Sequence, residues 1–179
     1  MRTINLAALL SLLLAAAGCA HHDNHEVPTS SPADGSDVVA RTALYRQKLV
    51  ADPSDATTRL QYAEALSRQG KYHAAEQQFT TILMQQPDNV DVMTALGYTY
   101  VWSYRYDLAE KQFKQALDSA PHDVSVRKGL AFTYLCSGRS SEALAAFRSL
   151  HKMHPEDLEI LAAIESTEAG LVGRVSQDW

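Results

Sequence analysis

Four of the six prolines, Pro53, Pro87, Pro121 and Pro155, recur at one fixed interval, and two positions after each comes Asp55, Asn89, Asp123 or Asp157. Proline cannot continue a helix and pushes the residue before it toward extended backbone, whereas Asp or Asn just ahead of a helix accepts bonds from its orphan amides. Each Pro-x-Asx is therefore a stop followed by a start. Between these signals apolar residues recur at steps of three and four, as with Leu96 and Tyr100 and then Leu108, Phe113 and Leu117 in the middle unit. Two amphipathic helices per unit follow.

The same period runs through other positions. Met93, Leu96, Gly97 and Tyr100 are followed by Ala109, Phe113 and Pro121; one period upstream stand Tyr62, Ala63, Leu66, Ala75 and Phe79, and one period downstream Leu130, Ala131, Tyr134, Ala143 and Phe147. The small residues mark close approach of two helices, and Phe79, Phe113 and Phe147 fill the space toward the neighbouring unit. With this spacing of Leu-Gly, Tyr, Ala, aromatic and Pro, the chain resembles the tetratricopeptide repeat (TPR) family, whose period is about 34 residues. The resemblance implies an all-α, right-handed superhelix (an α-solenoid) of eight helices, with three full repeats at about 56–89, 90–123 and 124–157. A second-type helix from Val38 to Ala51, with Leu44, Tyr45 and Leu49 in register, precedes them; Arg41 stands there in place of the close-packing Ala. A first-type helix over 157–169 closes the array, with Glu165 and Glu168 where Gly or Ala and Tyr are expected. Polar outer faces on terminal helices stop end-to-end polymerisation, so this helix reads as a cap. The repeat domain is 38–170 and the tail 171–179.

The start of the chain is a targeting segment. Arg2 precedes an apolar stretch from Ile4 to Ala17 that is too short to span a bilayer, and small residues follow to Gly18, so residues 1–18 read as a signal peptide. The run from Leu14 to Cys19 resembles the lipobox of bacterial lipoproteins, with Ala16 at the site usually held by Leu. That resemblance implies acylation of Cys19 and cleavage before it. Several acyl chains on one residue hold a protein firmly to a membrane. Ala20 after Cys19 resembles lipoproteins sorted to the outer membrane, facing the periplasm. Loss of Arg2 takes the net charge from -5 to -6, which disfavours nucleic acid as a partner. Residues 19–37, rich in His, Asp, Ser and Pro, read as a tether. Within it, His21, His22 and His25 are weak metal-ligand candidates beside the reading of a polar linker.

No phosphate loop, His-Glu-x2-His motif or nucleophile elbow is present, so neither an enzyme nor a cofactor is expected. The candidate site is a surface. In TPR proteins the first helix of each pair lines a concave groove that binds peptides or helices. Carried over, the lining is Leu60, Glu64 and Arg68 from the first repeat, Thr94, Tyr98 and Trp102 from the second, and Lys128 and Phe132 from the third. Leu60 and Glu64 stand where carboxylate-clamping members carry Lys and Asn, and aromatic Tyr98, Trp102 and Phe132 favour an apolar peptide or amphipathic helix as partner. The resulting expectation is a lipid-anchored periplasmic scaffold for assembly of an outer-membrane machine, a pilus or secretion system. Exopolysaccharide export, cell-wall enzymes and metal delivery through the His-rich tether are the alternatives.

Overall fold

The structure, a computed structural model, describes the backbone of residues 32–175 and the side chains of 37–170. Among the described residues there are eight helices and no strand: α1 Pro32–Ala51, α2 Ala56–Arg68, α3 Tyr72–Gln85, α4 Val90–Trp102, α5 Tyr106–Ser119, α6 Val124–Cys136, α7 Ser140–Met153 and α8 Leu158–Val175. They divide into two compact units, 32–126 and 127–175, with the boundary inside α6.

The Pro-x-Asx punctuation works through backbone chemistry. Gln86, Ala120 and His154, each just before a proline, end their helices at φ -133, -135 and -133 with ψ 72, 76 and 67, the extended region that proline imposes on its predecessor. The carboxamide of Asn89 then accepts from the Val92 amide at 3.1 Å. Asp55 and Asp123 accept from Thr58 and Val126 at 3.0 Å, and Asp157 from Glu159 at 3.0 Å. Four helix N-termini are thereby capped by one recurring side chain.

Each hairpin turns through a left-handed residue that closes a Schellman motif. Gly70 (φ 72) and Gly138 (φ 81) fill this place in the outer hairpins, and Tyr104 (φ 60) fills it in the middle one. The amides of Lys71, Arg105 and Arg139 all reach back to the carbonyls of Leu66, Tyr100 and Tyr134 at 2.9 Å, so the turn is the same in all three. Tyr104 therefore holds an unfavourable backbone conformation while its ring is 68% exposed. Tyr104→Gly is expected to stabilise the chain by about 0.5–1 kcal/mol, because relief of that strain exceeds the flexibility glycine adds to the unfolded state. Thermal melting would show a rise of roughly 2–4 °C per kcal/mol; an unchanged or lower midpoint would mean that the edge-on contact of Tyr104 with Tyr106, at 6.3 Å between centroids, outweighs the strain.

In the first unit α1 packs on α2, α2 on α3, α3 on α4 and α4 on α5, with Ala63, Ala75, Phe79, Met93, Leu96, Ala109 and Phe113 in the core. In the second, α7 packs on α8 over Ala143, Phe147, Leu150, Ile160 and Ile164. Phe113 lies across Gly97 of its own hairpin. Two expectations are corrected here. Leu108 is exposed, and Ala109, Phe113 and Ala116 form the buried stripe of α5. The first helix begins at Pro32, inside the stretch expected to be tether, as proline is pre-organised for a first helical turn.

The two terminal helices depart from the pattern for a shared reason. In α1 the buried position is Thr42, which accepts from Gln69 and donates to the Val38 carbonyl at 2.6 Å, whereas Leu44 is 48% exposed. Leu44 stands one repeat before Gln78, which accepts from Arg59 of the preceding helix α2 at 2.8 Å. No helix precedes α1 among the described residues, so the equivalent face is open. The outer face of α8 is likewise less polar than expected of a cap: Leu158 is 56% and Leu161 36% exposed.

Candidate functional site

On the first unit a recess opens between α2 and α4. Glu64, Ser67 and Arg68 line it from α2, Ala95, Tyr98, Thr99 and Trp102 from α4, and Phe79 of α3 reaches in from behind. Steps of three and four place each set on one helical stripe. Four of the residues expected from the sequence, Glu64, Arg68, Tyr98 and Trp102, thus meet in one place. Leu60 and Thr94, both half-buried, do not line this recess; the Thr94 hydroxyl is turned onto its own helix, donating to the Val90 carbonyl at 2.7 Å.

The aromatic end of the recess is built from below. Phe113, fully buried, meets Tyr98 edge-on at 5.2 Å and 79°. Tyr98 in turn stacks on Trp102 at 6.0 Å and 27°, and Trp102 remains 46% exposed. The buried ring orients the half-buried one, and the half-buried ring presents the exposed one. A large aromatic surface held this firmly loses little conformational entropy when covered. The floor carries a hydroxyl pair that the sequence reading missed: Ser67 and Thr99, both buried, lie 3.0 Å apart, and Thr99 donates to the Ala95 carbonyl at 2.9 Å. A signal existed, since Thr99, Thr133 and Thr167 recur once per repeat, each buried and each bonded to the carbonyl one helical turn back.

A second recess adjoins the first, lined by Val38, Arg41 and Tyr45 of α1 and by Gln61, Glu64, Ala65 and Arg68 of α2. Glu64 and Arg68 belong to both. The surface therefore runs from a polar end at Arg41, which pairs with Asp37, to an aromatic end at Trp102. The contribution of α1 was not foreseen because Arg41 was read only as a failed packing position.

Lys128 and Phe132 fall in the second unit and are described with it. Phe132 is half-buried on α6. The Lys128 ammonium is held by Asp157 at 2.7 Å and Glu159 at 2.6 Å. Burial alone would depress its pKa, but these two carboxylates outweigh burial and raise it. The Asp157 carboxyl, which burial would raise, is held below its usual value chiefly by Lys128. Lys128 therefore holds the cap helix, and a ligand carboxylate would have to compete with two internal ones. Among the described residues no group of three or more His, Cys, Asp or Glu is placed to hold a metal ion, and no helix is long and apolar enough to cross a membrane. Cys19, His21, His22 and His25 lie outside the described residues.

Comparison with known proteins agrees with this architecture. No curated protein matches the sequence at a significant level. Among solved structures, a tetratricopeptide repeat protein from Parabacteroides merdae is 20% identical with a TM-score of 0.70, covering 80% of this chain; this chain spans only 57% of that protein. MamA AMB-1 is 27% identical with a TM-score of 0.62, covering 81% of this chain and 85% of its own. The second TPR domain of human RPAP3, solved with the HSP70 peptide SGPTIEEVD, is 17% identical with a TM-score of 0.57, covering 63% of this chain and 94% of its own. Two tetratricopeptide repeat family models match residues 60–124 and 103–166, together more than half of the sequence. With its periodic, capped hairpins and its helix-lined recess, the chain belongs to the tetratricopeptide repeat family.

Proposed function

We propose that this protein is a lipid-anchored, non-enzymatic scaffold of the bacterial cell envelope, held to the outer membrane through Cys19 and facing the periplasm, that gathers proteins for assembly of an outer-membrane machine such as a pilus or secretion system. The single observation that carries the scaffold reading is the recess itself, where Trp102 stays exposed on a support of Tyr98 and buried Phe113. The partner is a peptide segment or amphipathic helix that places an apolar side chain against Trp102 and a polar stretch along Glu64, Arg68 and Arg41. The RPAP3 domain was solved with a peptide ending in acidic residues. This chain carries Leu60 and Glu64 where carboxylate-clamping members carry Lys and Asn, which favours an apolar ligand. Anchoring at Cys19 raises the local concentration of the scaffold, so modest affinity suffices.

The test is purification from the native membrane with intact protein and with Trp102→Ala and Cys19→Ser variants. Trp102→Ala removes an exposed ring, so its helical signal and melting curve stay intact while a defined set of envelope components is lost; recovery of the same components would place the interaction elsewhere. Cys19→Ser leaves the membrane fraction and loses labelling by palmitate. A variant that stays in the membrane would end the lipoprotein reading without touching the recess.

A further inference from the structure

The order of the helices leaves one half-hairpin at each end of the described array. Among the described residues, the first helix, α1, is of the second type with no first-type helix ahead of it, and the last, α8, is of the first type with no second-type helix behind it. Each exposes the face that a companion covers in the inner hairpins. On α1 that face includes Leu44, 48% exposed, in the register of Gln78, which meets Arg59 of α2 one repeat later. On α8 it carries Leu158, Leu161 and Glu165, the two leucines 56% and 36% exposed. Leu161 and Glu165 stand two repeats after Met93 and Gly97, both buried in the middle hairpin, Gly97 beneath Phe113 of α5.

The departures from the repeat are opposite in charge. Arg41 and Lys48 occupy the α1 positions that are buried Ala75 and Ile82 one repeat later, while Glu165 occupies the α8 position of Gly97. Between residues 37 and 51 there are three basic side chains against one acidic; between 158 and 170 there are three glutamates and no basic side chain. Glu159 and Glu168 are engaged by Lys128 and Arg148, which leaves Glu165 without an ion pair among the described residues.

We propose that the occupant of these faces is a second copy of the chain: α8 of one copy packs against α1 of the next, closing a hairpin in trans, with Leu161 and Leu158 against Leu44 and Glu165 facing Lys48. The two surfaces differ, so the contact is heterologous, head to tail. It is looser than an inner hairpin, since Glu165 bars the backbone approach that Gly97 permits. Short stripes of this kind bury less than a standard stable interface, so association is weak in dilute solution and strengthened by confinement on one surface.

Sedimentation velocity of the full chain over a wide concentration range tests this. The weight-average sedimentation coefficient is expected to rise with concentration, and Leu44→Glu or Leu161→Glu alone to hold the chain monomeric with an unchanged helical spectrum, both side chains being exposed. An equimolar mixture of the two variants keeps one intact α8 and one intact α1, so it recovers association and stops at a dimer. A wild type that stays monomeric throughout, single variants that associate as the wild type does through residues 1–31 or another protein surface, or a mixture that stays monomeric would each overturn the proposal.

Discussion

Gly97→Ala is expected to destabilise the protein by about 1–3 kcal/mol, although the same exchange in an open helix stabilises by up to about 1 kcal/mol. A Cβ at position 97 would stand 2.8 Å from two carbons of the Phe113 ring and 3.0 Å from a third. The ring cannot retreat, because Phe113 is fully buried and Tyr98 stands edge-on against it at 5.2 Å. Hairpin α4–α5 must open, or Phe113 must push Tyr98 and with it Trp102 out of place. Thermal or urea unfolding reads the loss directly. Phe113→Leu makes room, so in that background Gly97→Ala should become neutral or stabilising, a coupling that a double-mutant cycle isolates. Strict additivity of the two exchanges, or a Gly97→Ala protein more stable than its parent, would mean that the helices do not approach as described. The consequence reaches function, since the residue that sets the hairpin spacing also sets the height of the aromatic recess.

Much of this was legible in the sequence because repeat physics is local. A proline once per period, an Asx two positions on and a small residue at each crossing each act within one turn or one hairpin, so their spacing alone predicts the helices, their caps and the contact at Gly97. What escaped depended on neighbours that spacing does not show. Leu44 fits the apolar register of α1 yet is exposed, because the register presumes a preceding helix. Tyr104 keeps the turn that Gly70 and Gly138 make, because the hydrogen bonds of the Schellman motif fix the backbone whatever the side chain. Lys128 looked available to a ligand because its two carboxylate partners, Asp157 and Glu159, lie almost a full repeat further along the chain, just ahead of α8 and on it. In the recess the aromatic pair Tyr98 and Trp102 could be read from a four-residue step, whereas Arg41 and Tyr45 could not. Their place depends on how α1 lies on α2, and a period gives no packing angle.

Glu76→Gln is expected to cost about 1–2 kcal/mol at neutral pH, the range for hydrogen bonds to a charged group after discounting for solvent screening, with a distinctive pH profile. Glu76 of α3 accepts from the Tyr100 hydroxyl at 2.9 Å and from Arg105 at 2.9 Å, so one carboxylate ties the first hairpin to the second, and Arg105 lies 4.7 Å above the Tyr100 ring. The discount applies because Arg105 is part-exposed and water screens the pair. Burial would raise the Glu76 pKa, but the bonds from Arg105 and Tyr100 outweigh it and hold the carboxyl below its usual 4.5, with a smaller contribution from His73 at 3.8 Å. A depressed folded value means that the stabilisation is present above the unfolded value near 4.5 and is lost as pH falls through the folded one. The stability gap between wild type and Glu76→Gln should therefore be constant from neutral pH down to about pH 5 and close below it. Other carboxylates with lowered values, such as Asp157, are present in both proteins and cancel in the difference. At the alkaline end the sign reverses. Burial first, and then Glu76, push Tyr100 up to about 12 from 10.0, so its contribution is full below pH 10 and is lost as pH rises through about 12. Glu76→Gln leaves burial, opposed by the Arg105 charge, to act on Tyr100, and tyrosinate absorbance should then show one tyrosine titrating earlier than in the wild type. An unchanged tyrosine titration together with a stability gap independent of pH would mean that Glu76 acts through packing, and that the two hairpins are joined by apolar contact without the carboxylate.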